Sequence, residues 1–296
     1  MTFDVDRSRY PEKFAAPDGL ELYANWYVPE AEPSAGLLIV HGYADHGARY
    51  AHVAERFTQL GYAVLAADYR GHGRSEGPRG HVERFEEFVW DVEAAADLLR
   101  KAIGSRPLGI YAHSHGALVT LAALTRRHKL ASARCVAFTN PFLSIGTMKV
   151  NRALLALTRP VSWVLPRFSQ PHGIPAAGLT HDTQLLARAA DDPLRHNVAT
   201  AGWSVASRDA QAQVIRDLGR IELPTLWLLG SADPIANPSQ TRELFATSVP
   251  EPKELRVYEG LLHELVNEVE RERVLDDLVA WFQAQLFGGD AGPLSR

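Results

Sequence analysis

What most constrains this chain is a series of short, near-continuous apolar runs at residues 36–40, 62–67, 108–112, 134–139 and 225–229. A run of that length with little polar alternation is how a strand reads when both of its faces are covered. Residues 20–28 alternate instead, as a half-buried strand does, and 255–258 repeat the strand signal. Between these runs, residues 50–60, 85–101, 117–124, 239–247 and 265–286 carry apolar side chains at helical spacing. Strands that alternate with helices need crossover connections, and crossovers build a largely parallel sheet with helices on both faces. The expected fold class is therefore α/β, a mostly parallel central sheet flanked by helices.

Residues 142–206 break this rhythm. Pro160, Pro166, Pro171, Pro175 and Pro193 divide them into short pieces, and between 150 and 165 the apolar residues surround the helical axis instead of forming one stripe. The expected organisation is a core of residues 1–141 and 207–296 carrying an inserted helical cap at 142–206. A length of 296 residues suits one large α/β domain with one such addition. Two uses of the cap stay open. Leu154, Leu157, Val161 and Val164 can pack on the core, or Leu155, Trp163 and Leu165 can leave an apolar mouth for a ligand.

Composition excludes several classes of function. The formal charge is −4, from 31 basic and 35 acidic side chains, so nothing resembles the basic footprint of a nucleic-acid binder. No apolar stretch reaches the length of a spanning helix, so any membrane contact is expected to be peripheral and to use the cap. The first nineteen residues lack the apolar core of a signal peptide, and Cys135 stands alone, so a cytoplasmic location is expected. Oligomeric state leaves no mark in the sequence. No metal or cofactor is expected: His263-Glu264-Leu265-Val266-Asn267 lacks the second histidine of a zinc helix. Gly71-His72-Gly73-Arg74-Ser75-Glu76 ends in a loop where a dinucleotide fingerprint would open a helix.

Chemistry enters with three residues in order. Ser114 lies in Ala112-His113-Ser114-His115-Gly116, Asp233 follows the run at 225–229, and His263 follows the last strand. A serine hydroxyl is a weak nucleophile that needs a base, and an imidazole base needs a partner to fix its tautomer. Small residues two before and two after the serine, Ala112 and Gly116, suit a sharp strand-to-helix turn that presents the hydroxyl. Of the 12 histidines, His113 and His115 flank the nucleophile and should point away from it. His41, His46, His72 and His81 occupy early loops where a histidine usually bonds backbone. Asp192 competes with Asp233 for the acid but lies in the insertion. Because the base must be neutral, activity should fall on acidification. Two backbone N–H groups, of His115 and of Tyr43 in the loop after the first long parallel strand, are the expected oxyanion donors.

Four segments carry a family likeness: residues 41–50, 68–77, 230–234 and 258–263. Over about residues 20–287 the chain resembles monoacylglycerol lipases and related lysophospholipases of the α/β-hydrolase superfamily. The resemblance implies the α/β-hydrolase fold, and an acid and an arginine near the glycerol end of the substrate, at Asp45 and Arg49. The same two residues also read as a loop-stabilising ion pair. Tyr43 is bulkier than the family's usual residue, and His115 replaces an apolar one. The resulting expectation is a serine hydrolase of carboxylic esters of monoacylglycerol or lysophospholipid type, with medium or long acyl chains, Leu155 and Trp163 forming part of the acyl entrance. A short-chain carboxylesterase, and a non-catalytic ligand receptor on the same scaffold, are the alternatives.

Overall fold

The apolar runs become the inner strands of one sheet, and alternate side chains within each run serve opposite faces. A computed structural model describes residues 7–126, 129–148 and 152–288, with the backbone only for residues 7, 129, 131 and 152–156. The strands are β1 (Lys13–Ala15), β2 (Glu21–Tyr27), β3 (Ala35–Val40), β4 (Tyr62–Asp68), β5 (Leu108–His113), β6 (Cys135–Thr139), β7 (Ser169–Pro171), β8 (Val198–Thr200), β9 (Thr225–Gly230) and β10 (Lys253–Tyr258). The helices are α1 (Ala51–Thr58), α2 (Glu86–Ile103), α3 (Ser114–Thr125), α4 (Arg152–Val164), α5 (Thr183–Ala190), α6 (Ala201–Asp217), α7 (Pro238–Ser248) and α8 (Arg271–Phe287).

Eight strands form the main sheet in the order β1-β2-β4-β3-β5-β6-β9-β10. Pairing is parallel from β4 through β10, and the two antiparallel pairs, β1 with β2 and β2 with β4, lie at one edge. Leu38, Val40, Ile110, Ala112, Val136 and Phe138 face a core layer shared with α2 and α3. Their neighbours Leu37, Ile39, Tyr111 and Ala137 face the layer under α1 and α8, with Phe57, Leu278 and Phe282. This is the α/β-hydrolase fold.

Two local expectations need correcting. Helical spacing over 265–286 yields only a short 3-10 turn at Leu265–Asn267 before α8 begins at Arg271. The reason is tertiary: the buried Glu268 carboxylate accepts from the N–H groups of Leu262 and His181, at 2.9 and 3.0 Å, which commits this segment to the neighbouring loops. Pro160 does not divide the insertion either, because α4 continues through it. A proline inside a helix forfeits one backbone bond, at a cost of about 3 kcal/mol, and α4, which carries it, packs on α6.

Between β6 and β9 the chain leaves the sheet and builds α4, β7, α5, β8 and α6, with β7 and β8 paired antiparallel. Thr200 caps α6, its hydroxyl accepting from the Trp203 N–H at 3.2 Å. Helix α6 then packs on both α4 and α3, so position 206/207 falls within a helix.

Candidate active site

Strand β5 passes into α3 without a loop, and Ser114 stands at the junction with φ of +52°. A non-glycine residue in that region costs about 1–3 kcal/mol, so the surroundings must hold it there. Gly116 makes the turn possible: a Cβ at this position would run into the backbone carbonyls of His41 and Val40. The hydroxyl of Ser114 meets Nε2 of His263 at 2.8 Å.

His263 reaches this point from the loop after β10, and its Nδ1 lies 2.7 Å from Oδ2 of Asp233. Pro234 has no N–H, so the other carboxylate oxygen accepts from Ile235 and Ala236, at 2.7 and 3.1 Å. Those two bonds aim Oδ2 at the imidazole. An ionised carboxylate only accepts, so Nδ1 carries the proton and the Nε2 lone pair faces the serine. All three side chains are buried.

Asn140, at the end of β6, ties the two distant loops together. Its amide donates to the carbonyls of Leu262 and His263, at 3.1 and 2.7 Å, and its oxygen accepts from Gly230 at 2.9 Å. Sequence reasoning missed it, since Asn140-Pro141 reads as an ordinary turn.

The loop carrying Tyr43 lies against Ser114: a Cβ on Gly42 would sit 3.5 Å from Cβ of Ser114. His115 follows Ser114 in the first turn of α3, where backbone N–H groups have no partner within the helix. The Tyr43 ring stacks on Trp203, with centroids 3.8 Å apart. The His115 ring is wholly buried and points away from Ser114, accepting from the Trp203 Nε1–H at 3.3 Å. Burial pushes its pKa down to about 3. His113 bonds the Thr139 hydroxyl at 3.0 Å, and burial, with the nearby His263, pushes it down to about 4.

Asp45 and Arg49 form an ion pair at 2.9 Å, and Arg49 also grips Glu264 with both nitrogens, at 3.1 and 2.8 Å. Burial opposes charge on Asp45, but Arg49 and Arg195 outweigh it and hold the carboxyl well below its usual range. Asp192 pairs with His46 at 2.7 Å, and the His263 imidazole takes Asp233 as its carboxylate partner. Trp163 is 77% exposed on α4 and lines neither cavity at Ser114. The side chain of Leu155 lies outside the described residues. Arg159 and Arg167 pair with Asp209 and Glu83.

Two cavities meet at Ser114. One, of about 400 Å³, runs under the insertion and is mainly apolar, with Phe142, Ile145, Met148, Ala199 and Trp203 in its wall. The other, of about 370 Å³, has a mixed wall, more polar than the first, with Asp45, Asp192, Arg195, His196, His263 and Glu264 in it. Tyr43, Ser114, His172 and Ile174 line both. No group of three or more His, Cys, Asp or Glu side chains among the described residues is arranged to hold a metal.

Residues 31–270 match the protein family described as Serine aminopeptidase, S33. The chain is 29% identical to a monoacylglycerol lipase of Mycolicibacterium smegmatis, over 95% of this chain and 100% of that one. It is 30% identical to the monoglyceride lipase of Mus musculus, over 93% and 91% of the two chains. Among solved structures, a monoacylglycerol lipase of Paleococcus ferrophilus superposes with a TM-score of 0.79 at 25% identity, covering 89% of this chain and 99% of that one.

Proposed function

The chain belongs to the serine aminopeptidase S33 family, on the α/β-hydrolase fold, and from that membership we propose that it hydrolyses carboxylic esters through an acyl-enzyme on Ser114. The favoured substrates are monoacylglycerols or lysophospholipids with medium or long acyl chains. One observation carries this reading: the serine hydroxyl lies 2.8 Å from an imidazole, at the junction of an apolar cavity and a more polar one. The acyl chain takes the apolar chamber beneath the cap of residues 142–206, and the alcohol takes the polar one.

His263 accepts the Ser114 proton through Nε2 as the oxygen attacks the ester carbonyl. Asp233 holds the imidazole in the required tautomer and stabilises the imidazolium. The oxyanion is received by the N–H groups of Tyr43 and His115. Collapse expels the alcohol with a proton from His263, and water repeats the cycle on the acyl-enzyme.

A peptidase reading of the same family is less well supported by the side chains. An aminopeptidase must bind an α-ammonium group with a free carboxylate near the nucleophile. Asp45 and Glu264 in the polar chamber are instead shared by Arg49, and Asp192 is paired with His46. The relatives named monoacylglycerol and monoglyceride lipases favour the ester.

The test is a panel of monoacylglycerols, lysophospholipids, simple esters and aminoacyl anilides, run beside fluorophosphonate labelling. Wild type should cleave long-chain esters and label once, and Ser114→Ala should do neither while unfolding like wild type. Turnover of the anilides alone, or labelling that survives Ser114→Ala, would refute the proposal.

A further inference from the structure

The carbonyl oxygen of Gly42 belongs to the same peptide unit as the N–H of Tyr43. In a trans peptide the C=O and N–H point in opposite directions, so whatever holds the one aims the other. Two buried side chains hold this carbonyl. The Tyr69 hydroxyl donates to it at 2.9 Å, and Nδ1 of His41 lies 2.8 Å away. A carbonyl only accepts, so His41 is protonated on Nδ1. The His41 and Tyr69 rings stack with centroids 4.1 Å apart and planes within 11°, which fixes both donors together.

The phenol could turn its proton elsewhere, and His115 prevents this. Trp203 Nε1–H can only donate, so Nε2 of His115 is the acceptor. The neutral imidazole therefore carries its proton on Nδ1, which faces the Tyr69 oxygen at 3.3 Å. With that lone pair engaged, the phenol proton goes to Gly42. The chain runs from Trp203 through His115 and Tyr69 to the Gly42 carbonyl, and each donor polarises the next.

We infer that Tyr69, oriented by His115, is a positioning residue that aims the Tyr43 N–H at the oxyanion formed on Ser114. The inference rests on the acyl-transfer reading above. It also gives the buried histidine beside the nucleophile a role that packing alone does not require.

The test compares Tyr69→Phe with wild type, using kcat per site counted by burst titration. The substitution keeps the ring and removes only the donor. Misaiming an oxyanion N–H should cost less than the 10²–10³-fold of losing one, so kcat should fall about tenfold. KM should stay within about twofold, and affinity for a boronate that becomes tetrahedral on the serine should fall with kcat. An unchanged kcat per titrated site, or a loss confined to KM or to the number of active sites, overturns the inference. Should Tyr69→Phe fail to fold, His115→Asn and His115→Leu decide. An asparagine amide can replace the Nδ1–H, so kcat per titrated site should fall less in His115→Asn than in His115→Leu; equal kcat values overturn the inference. Failure of the underlying reading looks different: wild type itself would neither turn over esters nor label at Ser114.

Discussion

Asn140 holds His263 by the backbone, donating to its carbonyl oxygen at 2.7 Å, while the Asn140 oxygen accepts from Gly230 at 2.9 Å in the strand that leads to Asp233. One amide thus sets the spacing between the loops that carry the imidazole and the carboxylate. Asn140 has φ of +42°, a region that glycine enters freely. Asn140→Gly therefore preserves the backbone and deletes only the clasp. Stability should fall by about 2 kcal/mol, since buried groups lose their partners, and kcat should fall about tenfold or more because a small displacement of the imidazole proposed as the base is costly. Urea unfolding and kcat per titrated site check the two parts separately.

Those same loops show what was legible beforehand. Ser114 and Asp233 each follow a run of apolar residues that both sheet faces bury, and such runs announce their ends in the sequence, whereas His263 follows the half-buried edge strand β10. β3 to β6 and β9 were readable for the same reason. Asn140, Tyr69 and Glu264 were not, because their partners are 27 to 215 residues away and a lone polar side chain after a strand looks like any turn. The helices of the insertion were obscured differently. α4 runs through a proline, and α6 takes its stability from α3 and α4, so neither local propensity nor one apolar stripe revealed its limits. Asp45 and Arg49 were visible as a pair, but Glu264, which occupies the rest of the guanidinium, was visible only in three dimensions.

Acid should destabilise the protein well before its carboxylates protonate. Burial pushes His113 to about 4 and His115 to about 3, from an ordinary value of 6.5. Between these limits the unfolded chain binds protons that the native protein refuses, so stability is full above pH 6.5 and is lost as pH falls toward 4. His113 alone accounts for a loss on the order of 3 kcal/mol by pH 4. Urea midpoints should fall steadily between pH 7 and pH 5, and His113→Asn, which cannot titrate, should show a shallower fall. Equal slopes in the two proteins would place the acid sensitivity elsewhere.

Acyl preference should follow the apolar cavity. Each methylene moved from water into such a space contributes about 0.8 kcal/mol, so kcat/KM should climb about fourfold per methylene until the chamber is full. Ser204 lines this cavity from α6. Ser204→Phe should cut the climb short and leave acetate turnover close to wild type. A series of nitrophenyl esters from acetate to laurate measures both. A flat profile in wild type would mean that the chamber does not receive the acyl chain.

The outer face of the insertion should act at a lipid surface. Leu157, Trp163, Val164, Leu165 and Phe168 are all more than half exposed, and they follow one another along α4 and the turn after it. A patch of that kind, next to the paired Arg159 and Arg167, suits shallow insertion among lipid headgroups. Among the described residues no helix is long and apolar enough to cross a membrane, so contact would stay at the interface. Trp163 lies away from both cavities, which separates surface binding from chemistry. Replacing Trp163 and Leu165 together with serine should reduce sedimentation with phosphatidylcholine vesicles and slow hydrolysis of vesicle-borne monoacylglycerol several-fold. Turnover of nitrophenyl butyrate in solution should not change. Equal losses on the two substrates would instead mean that the patch supports the fold of the insertion.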